Sequence, residues 1–279
     1  MDDREYTAYW GYAEEEEQKL LQLLAREYGI LFDEIAGIVP ELKSLSDPLR
    51  PNEVRRLHRQ AKRWREEGAG EFRELELYLR DLERRSRIHK QEAIYIILFA
   101  LYAGISRELL RESGQMFDRI HMNSLERYGV SRVKKIDFTQ ELLPDGTTLR
   151  SQLGSYASYS ARRTAQTILL GGKLSPVVKA SKNRILSKTK AGHYHGYLDQ
   201  VAAAVVGYSV MEAFKQTGAK RYKFIAVLDK VTTDICRSLD GKIFRVDEMK
   251  LGVNVPPIVK DKNGRPIPHP CRSMIRLIE

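Results

Sequence analysis

Cysteine is nearly absent: Cys236 and Cys271 are the only two in 279 residues. Two are too few for a disulfide framework, and a single bridge would need an oxidising compartment that nothing in the sequence implies. Long apolar runs are also missing. The longest, Ala93 to Ala103, contains two tyrosines and falls well short of the roughly 20 residues that span a bilayer, so no membrane span is expected. The first residues, Met1-Asp2-Asp3-Arg4-Glu5, are acidic and polar, the opposite of a secretory signal, which implies a protein made and kept in a cytosol. There are no internal repeats and no low-complexity tract beyond the Glu14 to Glu17 run. Walker A, dinucleotide-binding and His-Glu-x-x-His motifs are all absent, which removes the enzyme classes that short motifs most often reveal.

What is present is a helix-forming, basic chain. A hydrophobic content of 42% supports a buried core, and the length exceeds one average domain. The charged fraction of 30% comes in long helix-forming runs, which favours extended helices with solvated faces. The net charge of +10 is unevenly placed: residues 151–230 hold 13 Lys and Arg against Asp199, Glu212 and Asp229. Residues 1–30 instead set Arg4, Lys19 and Arg26 against eight acidic residues. The asymmetry points to an acidic end that meets protein and a basic stretch that meets a polyanion, most simply nucleic acid; a solvated basic face is the plain alternative.

Apolar spacing predicts an amphipathic helix from Glu14 to Ile38, with Leu20, Leu24, Leu31, Ile35 and Ile38 on one side. Asn52 followed by Glu53 reads as an N-cap, and Gly68 to Gly70 closes that arginine-rich helix. Residues 71–113 predict one or two long helices ended by Gly114. Residues 130–147 look irregular, with turn chemistry at Pro144-Asp145-Gly146. Helices follow from Thr148 to about Leu170, from an N-cap at Ser175 with Pro176 behind it, and from about Tyr194 to Gln216. The period then changes to two: Tyr222, Phe224, Ala226 and Leu228 alternate with Lys223, Ile225 and Val227, a strand signal. Asp240-Gly241 has the composition of a tight hairpin turn, and Ser273 to Ile278 alternates as a final strand. The expected fold is α+β: a predominantly helical, elongated body with a small C-terminal β-containing module. Its segments are a helical body over 1–130, a basic helical segment over 131–220 and an α+β module over 221–279.

Few residues offer chemistry. Cys236, His269 and Cys271, with Asp234, are ligand types that zinc prefers, but no Cys-x-x-Cys pair is present and a His-x-Cys spacing is not a standard zinc knuckle. No cofactor is expected, and two isolated cysteines read as small buried hydrophobes. A thiol enzyme would need a Gly-rich oxyanion turn beside one cysteine, and none is there. His193-Tyr194-His195 with Asp199 resembles a general-base site only loosely; His195 and Asp199 at i, i+4 form an ordinary helix-surface pair. The cations Arg162, Arg163, Lys173, Lys179, Lys182, Arg184, Lys188 and Lys190 are interleaved with Tyr156, Tyr159 and Tyr194. They fit sequence-independent, salt-dependent phosphate contacts.

The carboxy-terminal blocks carry a family resemblance. Asp229, then Thr232-Thr233-Asp234-Ile235-Cys236-Arg237-Ser238-Leu239-Asp240-Gly241, then Gly252-Val253-Asn254-Val255-Pro256-Pro257, then His269-Pro270-Cys271-Arg272-Ser273 resemble, in order and spacing, the phage head morphogenesis or minor capsid proteins of the Mu F type. Tyr9-Trp10, Gly172-Lys173-Leu174-Ser175 and the Val205-to-Gly218 helix look like that family too. The resemblance implies a virion component without catalytic residues, assembled in the host cytoplasm at the capsid interior or portal vertex. Its implied partners are the portal protein or the major capsid protein, and non-specific double-stranded DNA. It also implies structural roles for Asp229, Thr233, Asp234, Cys236, Asp240, Gly241, Pro256, Pro257, His269, Cys271 and Arg272. Thr233 and Ser273 stand where many members carry further cysteines, which weakens zinc here. Arg272 is expected to pair with Asp229, Asp234 or Asp240. Two readings from other classes stand beside this one: a nucleic-acid-cleaving, nuclease or toxin-like effector, and a DNA-binding accessory protein with no virion role.

Overall fold

A computed structural model describes residues 3–38, 48–66, 72–131, 136–140, 146–186, 197–228, 230, 232–258, 263–264, 271 and 273–278. These form helices α1 (Asp3–Ile38), α2 (Pro51–Glu66), α3 (Arg73–Arg84), α4 (Lys90–Glu126), α5 (Leu149–Leu169), α6 (Leu174–Leu186) and α7 (Tyr197–Gln216). Strand β1 (Arg221–Ile225), helix α8 (Asp234–Leu239) and strands β2 (Ile243–Arg245) and β3 (Met274–Ile278) follow. The class is α+β, helical with one small antiparallel sheet, as the sequence implies. The chain packs as two compact units: Met1–Leu21, Glu112–Leu149 and Ile185–Glu279 make one, Gln22–Arg111 and Arg150–Arg184 the other.

In the second unit, α3 buries Leu75, Leu79 and Leu82, one side of an amphipathic helix. It packs on α2, which buries Val54, Leu57 and Ala61. Arg65 donates to Glu83 across that helix pair at 2.7 Å. Helix α2 starts two residues earlier than expected, with Pro51 at its first position, where the missing N–H costs nothing. Asn52 is therefore inside the helix. The start is closed instead by Glu53, whose carboxylate accepts from the Arg50 amide at 2.6 Å. On α4, Ile94, Leu98, Phe99, Tyr102 and Ala103 are buried. The Tyr102 and Thr164 hydroxyls bond at 2.9 Å, and Ser106 donates to the Leu153 carbonyl on α5 at 3.3 Å.

The expected stop at Gly114 is not observed: α4 runs on to Glu126. A glycine inside a helix costs about 1 kcal/mol, and the buried Met116, Phe117, Ile120 and Leu125 beyond it outweigh that. Helix α4 has the length and composition of a membrane span, yet 67% of its most apolar window is buried within the protein, which marks a core helix. Ser175 is not an N-cap either. Helix α6 begins at Leu174, and Pro176 lies in the first turn, where proline is tolerated.

In the first unit, α7 is buried almost all round, from Val201 through Val206 to Val210, Ala213 and Phe214, the mark of a helix enclosed by other elements. The sheet has the order β2-β1-β3 and is antiparallel throughout. Tyr222 and Phe224 of β1 are fully buried, and Tyr222 stacks on Phe244 opposite it at 5.6 Å. Asp240-Gly241 is not a strand-to-strand hairpin. It ends the short helix α8, with Gly241 in the left-handed region at φ +74°. The loop Lys250–Pro257 lies against α7: a Cβ on Gly207 would fall 1.8 Å from the Pro256 carbonyl oxygen. The Pro256–Pro257 bond is cis.

Two polar residues, Glu16 and His121, are internal. Glu16, within the acidic run, is only 2% exposed and binds Lys19 at 2.6 Å and Arg119 at 2.6 Å. Those hydrogen bonds hold its carboxyl below the usual range, against the opposing effect of burial. His121 is 4% exposed, bonds Ser209 at 2.7 Å and packs edge-on against Phe138. Ser209 donates to the Val205 carbonyl, so the imidazole Nδ1 acts as donor to the hydroxyl.

Gly207→Ala is expected to destabilise the protein by at least ~2 kcal/mol, read as a lower urea midpoint; an unchanged midpoint would mean that the turn is not held by this approach. Burial lowers the His121 pKa below its ordinary 6.5, with Asp118 and Glu212 opposing. The neutral ring is the folded form, so its stabilisation is complete above about pH 6.5 and is lost as pH falls through the lowered folded value. Urea midpoints at about pH 7 and about pH 5 should therefore differ less in His121→Gln than in the parent.

Candidate functional site

The carboxy-terminal motif residues converge where α8 meets the sheet. Thr233 caps α8, its hydroxyl accepting from the Cys236 amide at 3.4 Å. That places the Cys236 side chain inward, 4% exposed, with its sulfur 3.4 Å from that of Cys271, which is equally buried and lies just before β3. No disulfide joins the two. The neighbouring Cys236 thiol, and then burial, push the Cys271 thiol well above its ordinary value, despite the Ser273 hydroxyl and the Ile258 backbone. A thiol held protonated in this way is a poor nucleophile.

Asp240 and Gly241 tie α8 to the strands. The Asp240 carboxylate accepts from the Ala226 amide at 2.8 Å, and its own amide donates to the Cys236 and Arg237 carbonyls. The Gly241 amide donates to the Phe224 carbonyl at 2.9 Å, and the Phe224 amide to Lys242 at 2.9 Å. Asp234 is exposed in the first turn of α8. The buried Pro256 and Pro257 end a turn organised by Asn254. Its side chain accepts from the Lys250 amide at 2.7 Å and donates to the Glu248 carbonyl at 3.0 Å. Its carbonyl receives the Tyr222 hydroxyl at 3.3 Å. Burial, with Glu248 adding to it, pushes that phenol far above its ordinary value.

Asp229, His269 and Arg272 lie outside the described residues, as do the pairings expected of Arg272 and the His193-Tyr194-His195 group. Cys236 and Cys271 are brought together. Neither Thr233 nor Ser273 adds a soft donor to them, and the described residues contain no group of three or more His, Cys, Asp or Glu placed to hold a metal.

The second candidate surface is the cationic face of α5 and α6. Arg162, Arg163, Lys173 and Lys179 are exposed, and Lys182 is half-buried. Arg163, Lys173, Lys179 and Lys182 form no ion pair among the described residues. Tyr159, 47% exposed, lies on the same helix one turn before Arg162 and Arg163. The Arg184 side chain and residues Lys188 and Lys190 lie outside the described residues.

Sequence reasoning gave no individual role to Gly207, Asn254 or His121, although Asn254 lies within one of the family-resembling blocks. Gly207 had a readable signal, a lone glycine inside an apolar helix, which often marks a close backbone approach. His121 had none, because its partners Ser209 and Phe138 are distant in the chain.

Residues 161–264 match the family model described as Phage Mu protein F like protein. This is the family that the carboxy-terminal blocks resemble, and the match takes in the end of α5 from residue 161, then α6, α7, β1, α8, β2 and the Asn254 turn. No curated protein and no solved structure matches the chain.

Cys236→Ser and Cys271→Ser should each lower stability by about 1–3 kcal/mol. A thiol reagent should find no reactive cysteine in the folded protein and two after denaturation; rapid labelling of the folded form would overturn the buried pair.

Proposed function

We propose that the chain is a structural component of a phage head, added during head morphogenesis in the host cytoplasm. It docks on the portal or major capsid protein and lays the cations of α5 and α6 against double-stranded DNA. The observation that carries this reading is the match over residues 161–264, whose span includes Arg162 and Arg163 of α5, the cations of α6 and the Cys236–Asp240 corner. A corner built from an N-cap, a buried thiol pair and backbone hydrogen bonds is a scaffold. Among the described residues it supplies no activated nucleophile and no base within reach of one. The reading therefore assigns no catalysis and no cofactor, and the motif residues hold α8 and the Asn254 turn in place for docking. Contact with DNA through cations on a helix face is independent of sequence and strengthens as salt falls.

Two measurements test it. Heads purified from infected cells should contain the chain, at the portal vertex or the capsid interior; its consistent absence would sink the assignment. Purified protein should retain duplex DNA in a salt-dependent manner, and the combined change Arg162→Gln, Arg163→Gln, Lys173→Gln and Lys179→Gln should weaken retention for all sequences alike. Degradation of the DNA or RNA with added divalent metal, lost on His193→Ala or His195→Ala, would point instead to the effector class.

A further inference from the structure

Helices α2 and α4 border a cavity that the function proposed above does not use. It has a volume of about 310 Å³ and lies wholly within the second unit. One wall is a stripe on α2, where Glu53, Arg56, Leu57, Gln60 and Trp64 recur at the three- and four-residue spacing of a single helix face. The other is the matching stripe of α4, formed by Lys90, Ala93, Ile94 and Ile97. The Leu49 amide donates to the Ile88 carbonyl at 2.8 Å, and Pro48 and His89 form a β-bridge beside it. Both helices therefore leave from one tied point, and Leu49 closes that end of the cavity. From Glu53 to Trp64 the α2 wall is about 16 Å long.

The floor is apolar and the polar groups are few. Leu57, Ala93 and Ile94 are buried, and Trp64 and Ile97 are half-buried. Arg56 and Lys90 form no ion pair among the described residues. Glu53 is the carboxylate of the lining, and it is engaged at the start of α2 by the Arg50 amide at 2.6 Å. An apolar chamber with a small number of polar groups at its edge is how small-molecule sites are built, and about 310 Å³ falls at the small end of their range.

Charge and surroundings select the occupant. One cation faces the cavity from each wall, against one carboxylate that already holds an amide, so the edge favours an anionic head. A protein partner would need about 800 Å² of surface around a desolvated apolar centre. Among the described residues, no large apolar side chain on α2 or over residues 90–97 is widely exposed. The apolar surface here lies inside the cavity and not around it, which suits a small ligand.

We infer that this cavity binds a small amphipathic anion, an alkyl chain or ring system ending in a carboxylate or sulfonate. The head sits between Arg56 and Lys90, and the body runs past Leu57, Ile94 and Ile97 towards Trp64. The site is independent of the DNA surface and of the family match, which begins at residue 161.

Trp64 supplies the readout, because the other tryptophan, Trp10, is buried in the first unit. The probes are anilinonaphthalene sulfonate, decanoate and its uncharged counterpart decanol, each titrated into the full chain. Anilinonaphthalene sulfonate should quench Trp64 emission saturably, and decanoate should displace it. Arg56→Gln combined with Lys90→Gln should weaken decanoate at least about tenfold and leave decanol unchanged. Ala93→Phe fills the chamber and should abolish binding of both. Far-UV helix content and melting temperature establish that each variant is folded. If Ala93→Phe does not fold, the cation variant, altered only at the cavity edge, carries the test.

No saturable quenching in the parent protein would overturn the inference. So would decanol binding as tight as decanoate, or an unchanged decanoate affinity in the folded cation variant. Displacement of the probe by a leucine-containing acidic peptide at lower concentration than decanoate would overturn it in favour of a protein partner.

Discussion

The Pro256 carbonyl oxygen occupies the space where a side chain on α7 would begin, and Gly207 is the residue that leaves that space open. From this approach the first unit can be followed outward. The carbonyl belongs to a turn whose shape is set by Asn254, bonded to Lys250 and Glu248. The same turn receives the hydroxyl of Tyr222, the residue of β1 that stacks on Phe244 of β2. Helix α7, the turn and the sheet are therefore one packing problem, and the steric freedom of a single residue lets it be solved.

The chain uses its charges in two distinct ways. Glu16 is drawn inward and neutralised by Lys19 and Arg119; removing either partner would leave a buried carboxylate, which is costly. The exposed Arg163, Lys173 and Lys179 of the α5–α6 region form no ion pair among the described residues. A net charge of +10 destabilises a compact protein slightly by self-repulsion. Carrying that excess on outward helix faces limits the cost, because water screens it there.

Much of the fold was legible because it rests on local period. The spacing of Leu75, Leu79 and Leu82 announces α3, and the alternation around Tyr222 and Phe224 announces β1. Ser273 to Ile278 announces β3 in the same way. Helix α8 was not legible, since six residues hold too few turns to show a period. The extension of α4 past Gly114 was hidden because burial outweighed a local preference. At the candidate site, Thr233, Cys236, Asp240, Gly241 and Cys271 were named from the family resemblance, and the structure brings them to one corner. The inward turn of Glu16 and the enclosure of His121 depend on partners 103 and 88 residues away, and no window along the chain contains both members of either pair.

The way the two units draw on the chain governs how it can be divided. One takes its residues from three separate stretches and the other from two. A cut near residue 130 or residue 220 would strip the first unit of pieces that its core requires, whichever half were kept. Limited proteolysis or gene truncation along the linear order would thus yield fragments with exposed apolar faces and poor solubility. A protein meant to be handled in parts would have to be rejoined in the order of its packing, not in the order of its synthesis.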